Sequence, residues 1–500
     1  MKPIMNLSPF LSVRRFALFS IGVITILITA YAHIKAGFTF PNPWNDEPWF
    51  LWSVASMVEN NTYFSASLNP ERILLMSPYY QAPMMLLFKL TGFSFRLARW
   101  VSWAYMAVAY AGVLALVRRR PFPLLSAGMA SLFFLGASAV VAGNMARPEA
   151  MVWAMAVWSF VLADRGQNWK ALALAGLAVL VHRIAIVYFG GVLFLCLLDM
   201  WQKRIRIRPT RGDWIVIVIS GVLLGTYLYW MIQLWGPAMA DTKAVMSEGL
   251  GGNTVWERVF LSNKTPWLAM FGVLAVVGFW KDRQLLVPAL LGGAALSTML
   301  LRPQMWYEIY NQMAFMWITL LIPWTLVSGG GAVLSHRKKI LAKGMRTTIL
   351  LAVFVVGSLP MLKICYGHGF ITGPNHYPAK LGWGWGMRMD SSPYITEKDI
   401  KRVLLEIESY ATGDKKYRVF FMPEGDALFF YGRMPSNTIP YQGVRTDVMG
   451  DLAVFRLSRH QPPWLRDQHV MKSLDIYGGT DIEPFYGRDG TEKWILVPPR

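Results

Sequence analysis

WKALALAGLAVLVHRIAIVYFGGVLFLCLLDM, residues 169–200, decides how the chain is laid out. The run reads either as one long apolar helix or as two short ones that turn at the polar pair His182 and Arg183 in its middle. With the N-terminus cytoplasmic, a single crossing sends Lys203, Arg204, Arg206, Arg208 and Arg211 to the side opposite Arg118, Arg119 and Arg120. Two crossings keep both clusters, and later Arg337, Lys338, Lys339, Lys343 and Arg346, on one side. Basic connections belong on the cytoplasmic side, so two spans, 169–182 and 184–200, are expected. Segments this short are tolerated where protein rather than lipid surrounds their backbone.

Working outward, further apolar runs lie at 16–34, 97–117, 122–143, 150–164, 214–235, 267–280, 285–301, 310–334 and 347–362, which makes eleven candidate spans in all. Each approaches the length of a bilayer crossing. The first follows Arg14 and Arg15 without a small-residue cleavage site, and is read as a retained span. The composition agrees: 54% hydrophobic side chains, 14% aromatic and only 16% charged, with a positive mean hydropathy. These values exclude a soluble globular, fibrous or disordered chain.

The 49 Lys and Arg against 29 Asp and Glu would suggest nucleic acid in a soluble protein. Residues 1–362 hold 31 basic and 13 acidic side chains, whereas 363–500 hold 18 and 16. The excess therefore sits in the membrane part, where topology and lipid headgroups explain it and a nucleic-acid partner is not expected. Cys196 and Cys365, the two cysteines, give no disulfide framework.

An odd number of spans places everything after residue 362 on the outer side. The outer pieces are then 35–96, 236–266 and the tail 363–500, read as a small mixed α/β domain. Its expected helix is at 396–410, with strands at 417–422, 427–431 and 451–457. Within the first outer loop, WFLWSVASMV (49–58) and APMMLLFKL (82–90) read as amphipathic or interface-lying helices.

The most informative polar stretch is NPWNDEPWF, residues 42–50. Asp46 and Glu47 stand just before a helix that Pro48 starts, and are either a general base with its partner or an ordinary acid pair at a helix N-terminus. Arg147 and Glu149, in NMARPE at 144–149, need not touch each other. Both can enter a cavity roofed by the first loop, or cap the topology by snorkelling. If the substrate carries a phosphate, Arg72, Arg147, Arg183, Lys243, Arg258, Lys264 and Arg302 are the outer cations available. Arg183 and Arg302 are favoured because each interrupts the outer end of an apolar helix, although snorkelling explains them too.

Tyr79, Tyr80 and Gln81 would orient a sugar or phosphate, or form part of an aromatic interfacial belt, and Trp306, Tyr307, Glu308 and Tyr310 present the same choice. His182 reads as a proton-transfer or metal-binding group, or as an interfacial hydrogen-bonding histidine. GWGWG at 382–386 stacks on carbohydrate or makes a tight turn. There is no metal-ligand spacing and no glycine loop followed by Lys-Ser or Lys-Thr for nucleotide phosphates, so no cofactor is named, and a divalent-metal requirement stays open.

Taken in order, the Asp46-Glu47 pair after span one, YYQAPMMLLFKLTG-FSFRLARW at 79–100 and ARPE entering span four resemble the GT-C superfamily of membrane glycosyltransferases. The likeness is greatest to the protein O-mannosyltransferase and lipid A aminoarabinose transferase branch and covers most of residues 1–362. It implies a GT-C-like multispan α-helical fold of about eleven transmembrane helices in 1–362, followed by an extracytoplasmic C-terminal mixed α/β domain in 363–500. It also implies a bacterial inner-membrane location, with the catalytic loops on the periplasmic side. By resemblance, Asp46 is the base for inverting transfer from a polyprenyl-phosphate sugar to an extracytoplasmic glycan, lipid or protein. Glu47 is its supporting partner, with Glu149 among the catalytic acids. The sequence departs where relatives carry Lys before the proline of the tyrosine loop: here Gln81 and Ala82 precede Pro83, so the phosphate contact falls to Arg72, Arg183 or Arg302. The later Arg-Tyr motif before proline is altered as well, to Met305-Trp306-Tyr307-Glu308. A different class of function, a lipid-linked glycan transporter or noncatalytic assembly subunit, would use the same cavity without bond cleavage.

Overall fold

The computed structural model of the chain describes residues 8–36, 47–61, 78–119, 123–135, 143, 145–202, 209–233, 265–281, 283–301, 397–422, 427–430, 432–441, 452–458, 485–486 and 492–497. Most of these are helical. In order they form α1 (Ser8–Ala36), α2 (Glu47–Asn60), α3 (Pro78–Thr91), α4 (Phe95–Val117), α5 (Pro123–Phe134) and α6 (Pro148–Asp164). Then come α7 (Asn168–Val181), α8 (Ile186–Trp201), α9 (Arg211–Gln233), α10 (Thr265–Lys281) and α11 (Arg283–Leu301). The expected runs at 310–334 and 347–362 lie outside the described residues.

The deciding stretch is two helices. His182 leaves the helix in an extended conformation, φ −158° and ψ 127°, after its N–H has closed the last turn on Ala178 O at 3.0 Å. Its Nδ1 then accepts from Ile184 N–H at 3.2 Å and caps a 3-10 turn, Arg183–Ala185, that leads into α8. One side chain thus terminates α7 and starts its successor, and the two helices pack against each other. At the other end, Asn168 Nδ2 donates to Asp199 Oδ2 at 3.1 Å and ties the start of α7 to the last turns of α8. His182→Ala is expected to lower the stability of detergent-solubilised protein by about 1 kcal/mol, the usual worth of a lost cap, as a downward shift of its thermal midpoint.

The core is organised around α6, which packs on α4, α7, α8 and α11. Its Ala154, Ala156, Val157, Phe160, Val161 and Ala163 are buried. Small residues opposite it permit close approach: a Cβ at Gly112 of α4 would stand 2.7 Å from Val157 Cγ1. Such contacts substitute for the hydrophobic driving force that is missing between helices in lipid.

Among the described residues, three helices are long and apolar enough to cross a membrane: Phe95–Val117, Arg183–Trp201 and Arg211–Ile232. The outward faces are apolar too, with Phe16, Phe19 and Leu27 on α1 and Ile215, Val222 and Ile232 on α9 all exposed. Contiguous faces of this kind are unfavourable against water and suit a lipid environment. Within the run expected at 122–143, residues 123–134 are helical, with Leu135 N–H closing on Ser131 O, and Gly143 is helical as well, whereas 136–142 lie outside the described residues.

The segment expected as an amphipathic interfacial helix, 49–58, differs from that reading. Phe50 through Ser56 of α2, with the small Ser53, Ala55 and Ser56 among them, are buried without interruption. In the tail, α12 (Glu397–Tyr410) precedes β1 (Tyr417–Met422), α13 (Ala427–Phe430), β2 (Thr438–Tyr441), β3 (Leu452–Ser458), β4 (Phe485–Tyr486) and β5 (Glu492–Val497). They form a sheet of order β2-β1-β3-β5-β4, parallel across β2-β1-β3 and antiparallel beyond. The expected strand at 427–431 is instead the single helical turn α13, whose Phe430 stacks on Phe421 at 4.9 Å. A four-residue apolar run carries no period that separates the two.

A buried four-charge junction as the candidate functional site

Two buried ion pairs, Glu47–Arg99 and Arg147–Glu149, lie near each other where α2 and α6 begin. Glu47, the first residue of α2, is fully buried. Its carboxylate takes a bidentate fork from Arg99 on the second turn of α4, Nη2 to Oε2 at 2.8 Å and Nε to Oε1 at 3.1 Å. Oε1 also accepts from Ala146 N–H at 2.7 Å, in the turn before α6. Arg99 is itself fully buried, with its guanidinium 4.5 Å from the centroid of the Phe95 ring one helical turn back. Three donors therefore fix one carboxylate, and three elements are pinned at a single point.

The second fork is local. Arg147 occupies the N-cap of α6 in extended conformation, Pro148 starts the helix, and Glu149 lies in the first turn. Arg147 Nη2 donates to Glu149 Oε1 at 2.7 Å and Nε to Oε2 at 3.1 Å, so residues two apart, which the sequence did not require to touch, form a second bidentate pair. The Arg147 guanidinium lies 5.9 Å from the Phe50 ring of α2, which brings the two forks to one junction. His182 comes within electrostatic reach of Glu149 from the end of α7.

No family model matches the chain, and no curated protein matches it either.

Gln81 is buried and its Nε2 donates to Phe50 O at 2.9 Å, which fastens α3 to α2. Tyr80 beside it is buried, edge-on to Phe50 at 5.8 Å, with its hydroxyl next to that of Ser102 on α4. Burial holds the Tyr80 phenol well above its ordinary pKa, so it remains a neutral hydroxyl. Tyr79 faces the other way. Its hydroxyl donates to Leu223 O of α9, and its ring sits 6.0 Å from Tyr227, which in turn lies 6.1 Å from Trp230. Arg183, exposed on the 3-10 turn, stands near Tyr227 and completes an aromatic rim with one cation.

The expected site residues therefore divide. Glu47, Arg147 and Glu149, with Tyr80 and Gln81 alongside, come together at the buried junction, His182 borders it, and Tyr79 and Arg183 line the rim between α3, α7 and α9. Asp46, Arg72, Arg302 and Tyr307 lie outside the described residues. Arg99 was missed by the sequence reading. Its signal was a cation in the second turn of an apolar helix, which needs a buried counter-charge from elsewhere in the chain.

Proposed function

We propose that this chain is an integral-membrane transferase that moves a sugar from a polyprenyl-phosphate carrier to an extracytoplasmic glycan, lipid or protein, with inversion at the anomeric carbon. The architecture that goes with this reading is the eleven-span bundle of residues 1–362, in a bacterial inner membrane, with residues 363–500 as an extracytoplasmic α/β domain. The observation that carries it is the junction itself. Two carboxylates and two guanidiniums buried as two ion pairs near the starts of α2 and α6, in a bundle of mainly apolar helices, are unfavourable to bury and point to a site.

Asp46 immediately precedes Glu47, the residue so firmly held. In the proposed step Asp46 takes the acceptor hydroxyl proton, the acceptor oxygen forms a bond to the anomeric carbon, and the bond from that carbon to the phosphate oxygen breaks with its electron pair. Polyprenyl phosphate leaves. Arg183, beside the Tyr79, Tyr227 and Trp230 rim, supplies a cation for the phosphate of a lipid lying along α9. No nucleotide is required. Mass spectrometry of lipids that remain bound through purification tests the donor class: a polyprenyl phosphate or its sugar adduct, depleted in Arg183→Ala, is expected. Only bulk phospholipid in both proteins would contradict it.

A further inference from the structure

The turn between α7 and α8 is held through a nitrogen that a proton would occupy. Ile184 N–H donates to His182 Nδ1 at 3.2 Å. A backbone amide only donates, so Nδ1 carries no hydrogen in this conformation and the neutral ring bears its proton on Nε2. The bond caps the 3-10 turn Arg183–Ala185, in which Ala185 N–H closes on His182 O at 2.9 Å. Ile184 and Ala185 are buried, while Arg183 stays exposed near Tyr227.

We propose that His182 is a proton-sensitive positioning residue: neutral, it latches the turn that presents Arg183 at the aromatic rim, and protonated, it gives up the Ile184 amide and turns to Glu149. The latch stands on the geometry of the turn, and its use, holding the cation that meets a carrier phosphate, rests on the transferase reading. Protonation puts a hydrogen on Nδ1, which then faces another donor, so the proton and the cap exclude each other. The carboxylate of Glu149, in the first turn of α6, lies within electrostatic reach and draws an imidazolium. Two cations oppose this in part: Arg147 already forks Glu149, and Arg183 is the next residue along the chain. Among the described residues, the other titratable side chains at this end of the packed helices are phenols, Tyr79 and Tyr80 on α3, Tyr188 on α8, and Tyr227 and Tyr229 on α9. Phenols ionise near about pH 10, so the imidazole is the group here that changes charge between about pH 5 and 8.

The test is amide hydrogen exchange across residues 183–186 of full-length protein in nanodiscs, read by mass spectrometry from about pH 5 to 8 with each rate divided by its intrinsic value. In wild type, protection of the Ile184 amide should fall about fivefold as the pH drops through this range, the population change that accompanies one lost cap. His182→Asn keeps an oxygen that accepts from the amide two residues on and takes up no proton, so its protection should match wild type at the alkaline end and stay level to the acid end. Glu149→Gln should move the fall to lower pH, because the imidazolium loses its carboxylate. Wild-type protection that is level across the range overturns the proposal, whether or not the variants fold. So does a fall that persists in folded His182→Asn, which would place the titrating group elsewhere, and so does an unshifted fall in folded Glu149→Gln. Equal retention of polyprenyl phosphate by wild type and Arg183→Ala defeats the carrier reading itself, an outcome separate from any of these.

Discussion

Asp46→Asn is expected to lower kcat/KM for sugar transfer by about a hundredfold to ten-thousandfold, the range typical of removing a general base. Asparagine matches aspartate in shape and cannot accept a proton at neutral pH, so folding and lipid binding should persist while turnover fails. The effect should fall mainly on kcat, because the base acts on the hydroxyl only as the new bond forms. Initial rates with purified wild type and variant, alongside their thermal midpoints, check this. Full turnover by a correctly folded Asp46→Asn protein removes Asp46 from the chemistry.

The second large effect is on stability. Arg99→Met leaves the Glu47 carboxylate buried without a counter-charge, and breaking a buried pair from one side is worth about 3–5 kcal/mol. The double substitution Glu47→Leu with Arg99→Met should recover part of that loss, since an apolar pair of similar volume is often neutral. It should fall short of wild type by about 1–3 kcal/mol, because Ala146 N–H loses its acceptor. Thermal unfolding in one detergent gives all three values. If Arg99→Met melts with wild type, the fork is not what joins α2 to α4.

The mostly helical character was legible because the sequence is laid out in long apolar runs. Residues 169–200 show how far this goes: charge bookkeeping alone required a break near His182, and the break is there, made by a backbone that turns extended and a ring nitrogen that caps the next turn. What the sequence did not disclose depends on tertiary partners. Residues 49–58 read as an amphipathic or interface-lying helix, yet Phe50 through Ser56 are all buried. Gln81 donates its side-chain N–H to Phe50 O, a contact 31 positions away that no local pattern encodes. Arg147 and Glu149 meet because the N-cap residue is extended, which folds its side chain onto the first helical turn. The pairing of Glu47 with Arg99 spans 52 positions, and no local pattern encodes a contact at that distance.

The central claim is that the carrier's sugar–phosphate bond is cleaved. Reconstituted wild-type protein, given a polyprenyl-phosphate sugar and a membrane extract as acceptor, should yield free polyprenyl phosphate by mass spectrometry in step with glycosylated product, and Asp46→Asn should yield neither. The contrary result is the intact lipid-linked sugar appearing in the opposite leaflet, with no polyprenyl phosphate formed and with Asp46→Asn as effective as wild type.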